Sequence, residues 1–242
     1  MTYHENITSW LEAAGPDEIA RGRSWYRIAR GTAEKLAEDF GLSLEQSAGV
    51  IAALSPQMHW ADNVRGARIC METYAAGGSP VDTVGVTAYH ENIVKAWRIM
   101  ADPAFGRRGT ICDGLRPGKR VHRVKCNGAS HRCKAPLHGP KVSAFYRAIL
   151  GQPDGAVDVW ATRAADIAYS EIDGLAPTDP RRAGDPNIGG RRHADITAAY
   201  AAAGEAFGLA GHEAQAVVWV TIRDSWKRAD GRQNGRREDI PF

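Results

Sequence analysis

Apolar residues recur along this chain at helical spacing, and alternation of period two is almost absent. Residues from about Asp17 to Phe40 run amphipathically and stop at Gly41. Ser43 and Gln46 then form S-x-x-Q, a capping box in which each side chain satisfies the other residue's backbone N–H. It opens the apolar run SLEQSAGVIAAL, which Pro56 breaks. Further helices are predicted over about 63–75, closed by Gly77-Gly78, and from a Thr87 cap to Asp102. Another runs from Gly139 to a cap at Gly151, and the next from an Asp158 cap to about Tyr169. Two long helices, about 193–207 and 212–228, complete an all-α fold.

Three stretches carry no period. Residues 103–135 are basic and cysteine-containing, and 172–192, rich in Pro, Gly and Arg, read as a long mobile surface loop. Residues 229–242 are polar and predicted to fray. The pattern suits two lobes. Residues 43–157 would form a central helical lobe, while the N-terminal helices of 1–42 pack with the helices of 158–228.

Composition narrows the class. At 242 residues, 43% hydrophobic and 24% charged, the chain has the balance of an ordinary globular protein. It holds no run of 18 apolar residues, and MTYHENITSW lacks the basic and apolar regions of a secretory signal. Four cysteines at uneven spacing do not suggest a disulfide framework. The expectation is a soluble cytoplasmic protein with no membrane partner.

The net charge of +3 is mild, but its distribution is not. From Gly114 to Pro153 there is no Asp or Glu, while nine Lys or Arg fall there, Arg120, Arg123, Lys125 and Lys141 among them. A one-signed segment repels itself unless an anion neutralises it, and a polyphosphate backbone is the usual anion. The other reading is a solvated basic loop.

Inside this segment PLHGPK forms a Pro/Gly turn that opens the helix carrying Lys141. Asp158 follows 158 − 141 = 17 residues later, at the mouth of the next helix. An amine and a carboxylate so placed suit attack at a sugar carbon. Against this, Asp is a favoured N-cap, and Lys141 on a first helical turn equally suits a phosphate contact or plain solvent.

Three blocks together resemble a family. The turn 135-APLHGPKVSAF-145 resembles the hairpin of the HhH-GPD (helix-hairpin-helix) superfamily of DNA glycosylases, with Pro136, Gly139 and Lys141 on the matching positions. The segment 157-VDVWATR-163 is similar to the family's Val-Asp-x-His/Trp-x-x-Arg, which carries its catalytic aspartate, here Asp158. Upstream, 53-ALSPQMHWADNV-64 is similar to its Leu-Ser-x-Gln segment, with Ser55 and Gln57 matching. The order and spacing of the blocks agree over roughly residues 43–165.

The resemblance implies a two-lobed helical DNA N-glycosylase that swings a modified or damaged base out of the duplex. Asp158 would stabilise the cation developing at the sugar, or orient the attacker. Lys141 would form a Schiff base and add lyase activity; if it only binds phosphate, water attacks instead. Gln57 would fill the gap in the stack, and Ser55, His138, Gly139, Arg120, Arg123, Lys125 and Arg163 would contact DNA. Trp160 and Trp60 are the candidates to meet an extruded base, although core packing, as for Trp97, Trp219 and Trp226, is the other reading.

The chain also departs from the family. Leu137 stands where the hairpin has its first glycine, and no cysteine follows Cys133, so no iron–sulfur cluster is expected. Virus-encoded relatives resemble transferases that attach an amino acid or polyamine to an activated pyrimidine in DNA. A non-catalytic DNA-binding module is the third reading.

The chemistry itself asks for no cofactor. Cys112, Cys126 and Cys133 with His131 (or His122 or His138) offer the donors of a tetrahedral structural zinc, which would order a loop too polar to fold. Thiols in an unstructured loop are the alternative. Cys70 belongs to the apolar face of a helix and is expected in the core.

Overall fold

The same device starts two helices. Thr2 and Glu5 cap α1 (Tyr3–Ala13), and Ser43 and Gln46 cap α3 (Leu44–Leu54); both capping boxes are complete. Between them α2 (Pro16–Phe40) ends at Gly41, whose φ of +64° suits the left-handed position after a helix; Leu42 N–H closes back onto the Ala37 carbonyl.

The protein is seen here in a computed structural model that describes residues 1–107, 110–112, 120–121, 124–125, 135–176, 178–185, 188 and 190–229. After α3 come α4 (Trp60–Ala75), α5 (His90–Met100), α6 (Pro140–Ile149), α7 (Val159–Asp166), α8 (Gly190–Ala206) and α9 (Gly211–Ala229). The fold is all-α. Its described strands are two-residue bridges: β1 (Ile111–Cys112) pairs in parallel with β4 (Leu137–His138), and β2 (Arg120–Val121) pairs antiparallel with β3 (Val124–Lys125).

The described residues divide into two compact units, one made of those up to Arg27 and from Gln152 onward, the other of those within 28–151. The sequence suggested boundaries at 42/43 and 157/158. The first division instead falls inside α2, between Arg27 and Ile28, where helical periodicity gives no sign of a break.

In the first unit α1 packs against α7, α8 and α9. Ile7 and Trp10 meet Ala164, Ile196, Tyr200, Val217 and Ile222 in one buried cluster. Polar groups of α1 and α8 then hold α7 by its backbone. Tyr200 Oη donates to the Ala161 carbonyl at 3.2 Å, Asn6 Nδ2 to Ala165 at 2.8 Å, and Trp10 Nε1 to Ile167 at 2.7 Å. An eight-residue helix too short to persist alone is thereby fixed along its length.

In the second unit α3 is the central element. Every residue from Gln46 to Leu54 is buried, as befits a helix apolar all round, and α4, α5 and α6 pack about it. Gly49 lets the Phe105 ring reach its backbone; a Cβ there would lie 2.4 Å from Phe105 Cε1. Gln46, besides capping, donates through Nε2 to the Met100 carbonyl at 2.9 Å and so ties α3 to the end of α5. Cys70 is fully buried on α4 as expected, and burial pushes its thiol up to about 12.

Several expectations need correcting. Thr87 caps nothing: a 3-10 turn at Pro80–Asp82 precedes α5, Tyr89 is the residue before its first turn, and Thr87 Oγ1 donates to Met58 Sδ at 3.5 Å. α7 ends at Asp166 rather than near Tyr169. The stretch 172–192 is no bare loop over its described residues. It holds 3-10 turns at Tyr169–Gly174 and Pro180–Ala183, where Arg181 pairs with Glu171 and Asp179, both at 2.9 Å. Arg192 pairs with Asp166 at 2.6 Å and Asp185 at 2.9 Å.

Candidate functional site

The end of α3 and the start of α6 meet in the second unit. Ser55 is the C-cap of α3, with its Oγ donating to the Ala52 carbonyl at 2.9 Å. The same oxygen accepts from Lys141 Nζ at 3.4 Å, across 86 residues of sequence. Two of the three blocks quoted above thus come together. Gln57, two residues on, is exposed and holds φ +60°, a left-handed backbone unusual for a residue with a Cβ. Its Oε1 accepts from Tyr89 Oη at 2.5 Å. A strained, exposed glutamine beside the Ser55–Lys141 contact is the kind of outlier that gathers at working sites.

The turn before α6 is built by Gly139. Its φ of +102° and ψ of +144° are open only to glycine, and a Cβ there would meet nothing within 4 Å. Cys112 anchors it: the Cys112 carbonyl accepts from Gly139 N–H at 2.9 Å and from Ser143 Oγ at 3.1 Å. Leu137, which stands at the family hairpin's first glycine, is fully buried in β4. Among the described residues the element preceding α6 is therefore a strand bridge to β1, not a second helix.

His138 lies beside Cys112 in the β1–β4 register and is half-buried. Burial first, then the positive charges of Lys95 and Arg98, hold its imidazole below the usual histidine value. Lys95 is itself half-buried on α5, with Nζ donating to Asn92 Oδ1 at 3.0 Å. Desolvation lowers its pKa, Glu91 opposes and Arg98 adds to that shift. Neither lysine nor arginine was singled out from the sequence, because α5 reads there as an ordinary amphipathic helix.

Asp158 belongs to the first unit, and Lys141 to the second. Asp158 does cap α7, accepting from Ala161 N–H at 2.9 Å. Its charge acts on two fully buried phenols, Tyr26 and Tyr200, whose pKa values are raised mainly by burial and further by Asp158. Tyr26 Oη donates to Gln215 Oε1 at 2.9 Å and also bonds the Ala156 backbone, which pins the irregular segment leading into Asp158.

Trp160 is partly buried and packs on the first unit's core. The Arg163 guanidinium lies 4.3 Å from the Trp160 ring centroid and 5.1 Å from that of Trp226, while Nη2 donates to the Ala183 carbonyl at 3.2 Å. Arg182 covers Trp226 at 4.8 Å. Trp60 is the half-buried first residue of α4.

Of the zinc set, Cys112 is buried and forms no disulfide, while Cys126, Cys133, His131 and His122 lie outside the described residues. So does Arg123, and of Arg120 and Lys125 only the backbone is described. Among the described residues no three His, Cys, Asp or Glu side chains gather as metal ligands, and no helix is long and apolar enough to cross a membrane.

Residues 1–226 match the model of a family described as "Family of unknown function (DUF7178)". No curated protein and no solved structure matches the chain.

Proposed function

The chain thus belongs to DUF7178, a family with no assigned chemistry, and we propose from its own residues that it is an enzyme acting on a base in DNA, an N-glycosylase with Lys141 as its amine. The observation that carries this reading is the Lys141–Ser55 contact, which joins two blocks of the glycosylase resemblance that are remote in sequence. Gln57, exposed and backbone-strained beside them, supports it as the residue to occupy a vacated stack.

In this reading the deprotonated Lys141 Nζ attacks C1′ of an extruded nucleotide. The new N–C bond forms as the glycosidic bond breaks, and the base leaves with the bonding electrons and takes up a proton. Loss of the amine's proton and opening of the sugar ring give a Schiff base, from which elimination of the 3′ phosphate cuts the strand. The resemblance alone gives Asp158 the role of stabilising positive charge at the sugar.

The test is borohydride trapping and abasic-site detection on duplexes carrying uracil, 5-hydroxymethyluracil, and oxidised and alkylated bases. A covalent adduct that requires Lys141 supports the reading. A mass gain on DNA without an abasic site replaces it with base transfer. DNA binding without chemistry on any duplex leaves a binding module.

A further inference from the structure

We infer that a trough along residues 16–27 of α2 is a docking site for the phosphodiester backbone of duplex DNA, with Arg23 and Arg27 as its phosphate contacts. This rests on the DNA reading above but uses residues outside the resemblance, all of them in the first unit. The trough holds about 640 Å³ and is lined by Pro16, Ile19, Ala20, Arg23, Ser24 and Arg27. Residues three and four apart on a helix are neighbours, so these positions form one continuous stripe.

The shape suits a polymer that runs past rather than a small ligand. A small-molecule site buries most of its ligand in a concave cleft. Here the lining comes from one helix, and Pro16, Ala20, Arg23 and Arg27 are exposed. Ile19, half-buried against the first unit's core, makes an apolar floor on which sugar edges can lie.

The charge on this stripe is not neutralised from within. Arg21, two residues before Arg23, is held by Asp17 at 3.0 Å and Asp224 at 2.7 Å. Among the described residues Arg23 and Arg27 meet no carboxylate, and Arg23 Nη2 donates to the Gly208 carbonyl at 3.3 Å. That bond uses one of the five N–H donors of the guanidinium and leaves the others to an anion. Arg27 follows Arg23 by 27 − 23 = 4 residues, about 6 Å along the axis, so two cations stand in a row. Ser24 Oγ directs its hydrogen to the Ala20 and Arg21 carbonyls, both at 3.0 Å, which leaves attraction to the arginines. A guanidinium fork matches phosphate oxygens two at a time.

The experiment follows binding of the full chain to a duplex against salt, by fluorescence anisotropy. Wild type is compared with Arg23→Gln, Arg27→Gln and the double variant, circular dichroism confirming that each folds. Lys35→Gln, which removes an exposed and ion-paired cation of the same helix, controls for net charge. Each arginine variant is expected to weaken binding on every duplex sequence and to lower the salt slope by about one, the double variant by about two. Lys35→Gln should keep the wild-type slope.

Wild-type slopes in both arginine variants, with duplex binding intact, would overturn the trough as a docking site and leave the DNA reading standing. A wild type that ignores duplex DNA would overturn both. Binding of poly-glutamate in its place, lost in Arg23→Gln and Arg27→Gln, would then give the trough to an acidic protein.

Discussion

Lys141 Nζ and Ser55 Oγ lie 3.4 Å apart, and the hydroxyl that accepts from the lysine also donates to Ala52 at the end of α3. The contact fixes where the amine points without supplying a charge to pair with it. Lys141→Gln should therefore abolish borohydride trapping completely. Ser55→Ala should leave trapping detectable but slower, and should cost about 1 kcal/mol of stability through the lost hydrogen bond to Ala52. Gel detection of the adduct and urea unfolding measure the two effects separately.

Asp158 combines a structural task with the charge proposed for catalysis, and one substitution separates them. Asn caps a helix about as well as Asp, so Asp158→Asn should keep the Ala161 N–H bond and the melting temperature. Base removal should fall by at least two orders of magnitude if the carboxylate charge matters at the sugar, an effect of the size seen for lost electrostatic stabilisers. Unchanged turnover would show that Asp158 is a cap and nothing more.

How much of this was legible in sequence depends on how local the determining interaction is. The Ser43–Gln46 box and the Asp158 cap act over three residues, and both are present as read. The Thr2–Glu5 box has the same form, yet α1 was not delineated in the periodic reading. α4 starts at Trp60, ahead of the predicted start, because its cap, His59, makes no side-chain bond that a pattern would reveal. The stretch 172–192 looked loose because its order rests on ion pairs that follow no period, such as Arg181 with Asp179 and Glu171 and Arg192 with Asp166. Lys95 escaped notice for a similar reason: only packing shows that its ammonium is half-buried.

Gly22 is a prediction about packing alone. On α2 it faces α9 so closely that an added Cβ would lie 2.4 Å from Val217 Cα, a backbone atom that cannot rotate away. Gly→Ala in a helix normally gains up to about 1 kcal/mol from propensity. Here the helices must separate, and Gly22→Ala should instead destabilise by roughly 1–3 kcal/mol or more. Denaturant unfolding gives the sign directly, and a gain in stability would mean the two helices are not so close in solution.

Alkaline pH should unfold the protein through its buried acids. The Cys70 thiol titrates near 9 in an unfolded chain but is pushed up to about 12 by burial, and Tyr26, Tyr146 and Tyr200 are raised in the same sense. Above pH 9 the unfolded chain loses the Cys70 proton while the folded one keeps it, so stability present below that pH declines as pH rises towards 12. The thermal midpoint should fall from pH 9 upward. Cys70→Val should fall less steeply between pH 9 and 10, before the tyrosines of the unfolded state, with an ordinary value of 10, begin to ionise. Identical slopes would place the Cys70 thiol in water.

Arg163 is the residue for which resemblance and geometry ask different things. As part of the aspartate block it is a candidate DNA contact, but its guanidinium lies over Trp160 and Trp226 and reaches the Ala183 carbonyl. Lying over two indoles while directing an N–H to a carbonyl is work that a lysine ammonium does poorly. Arg163→Lys keeps the charge but loses this placement, so it should lower stability by about 1 kcal/mol and raise amide exchange around Ala183. Duplex affinity and its salt slope should change little. If the slope instead drops by about one with stability intact, the guanidinium is spent on a phosphate rather than on the tryptophans.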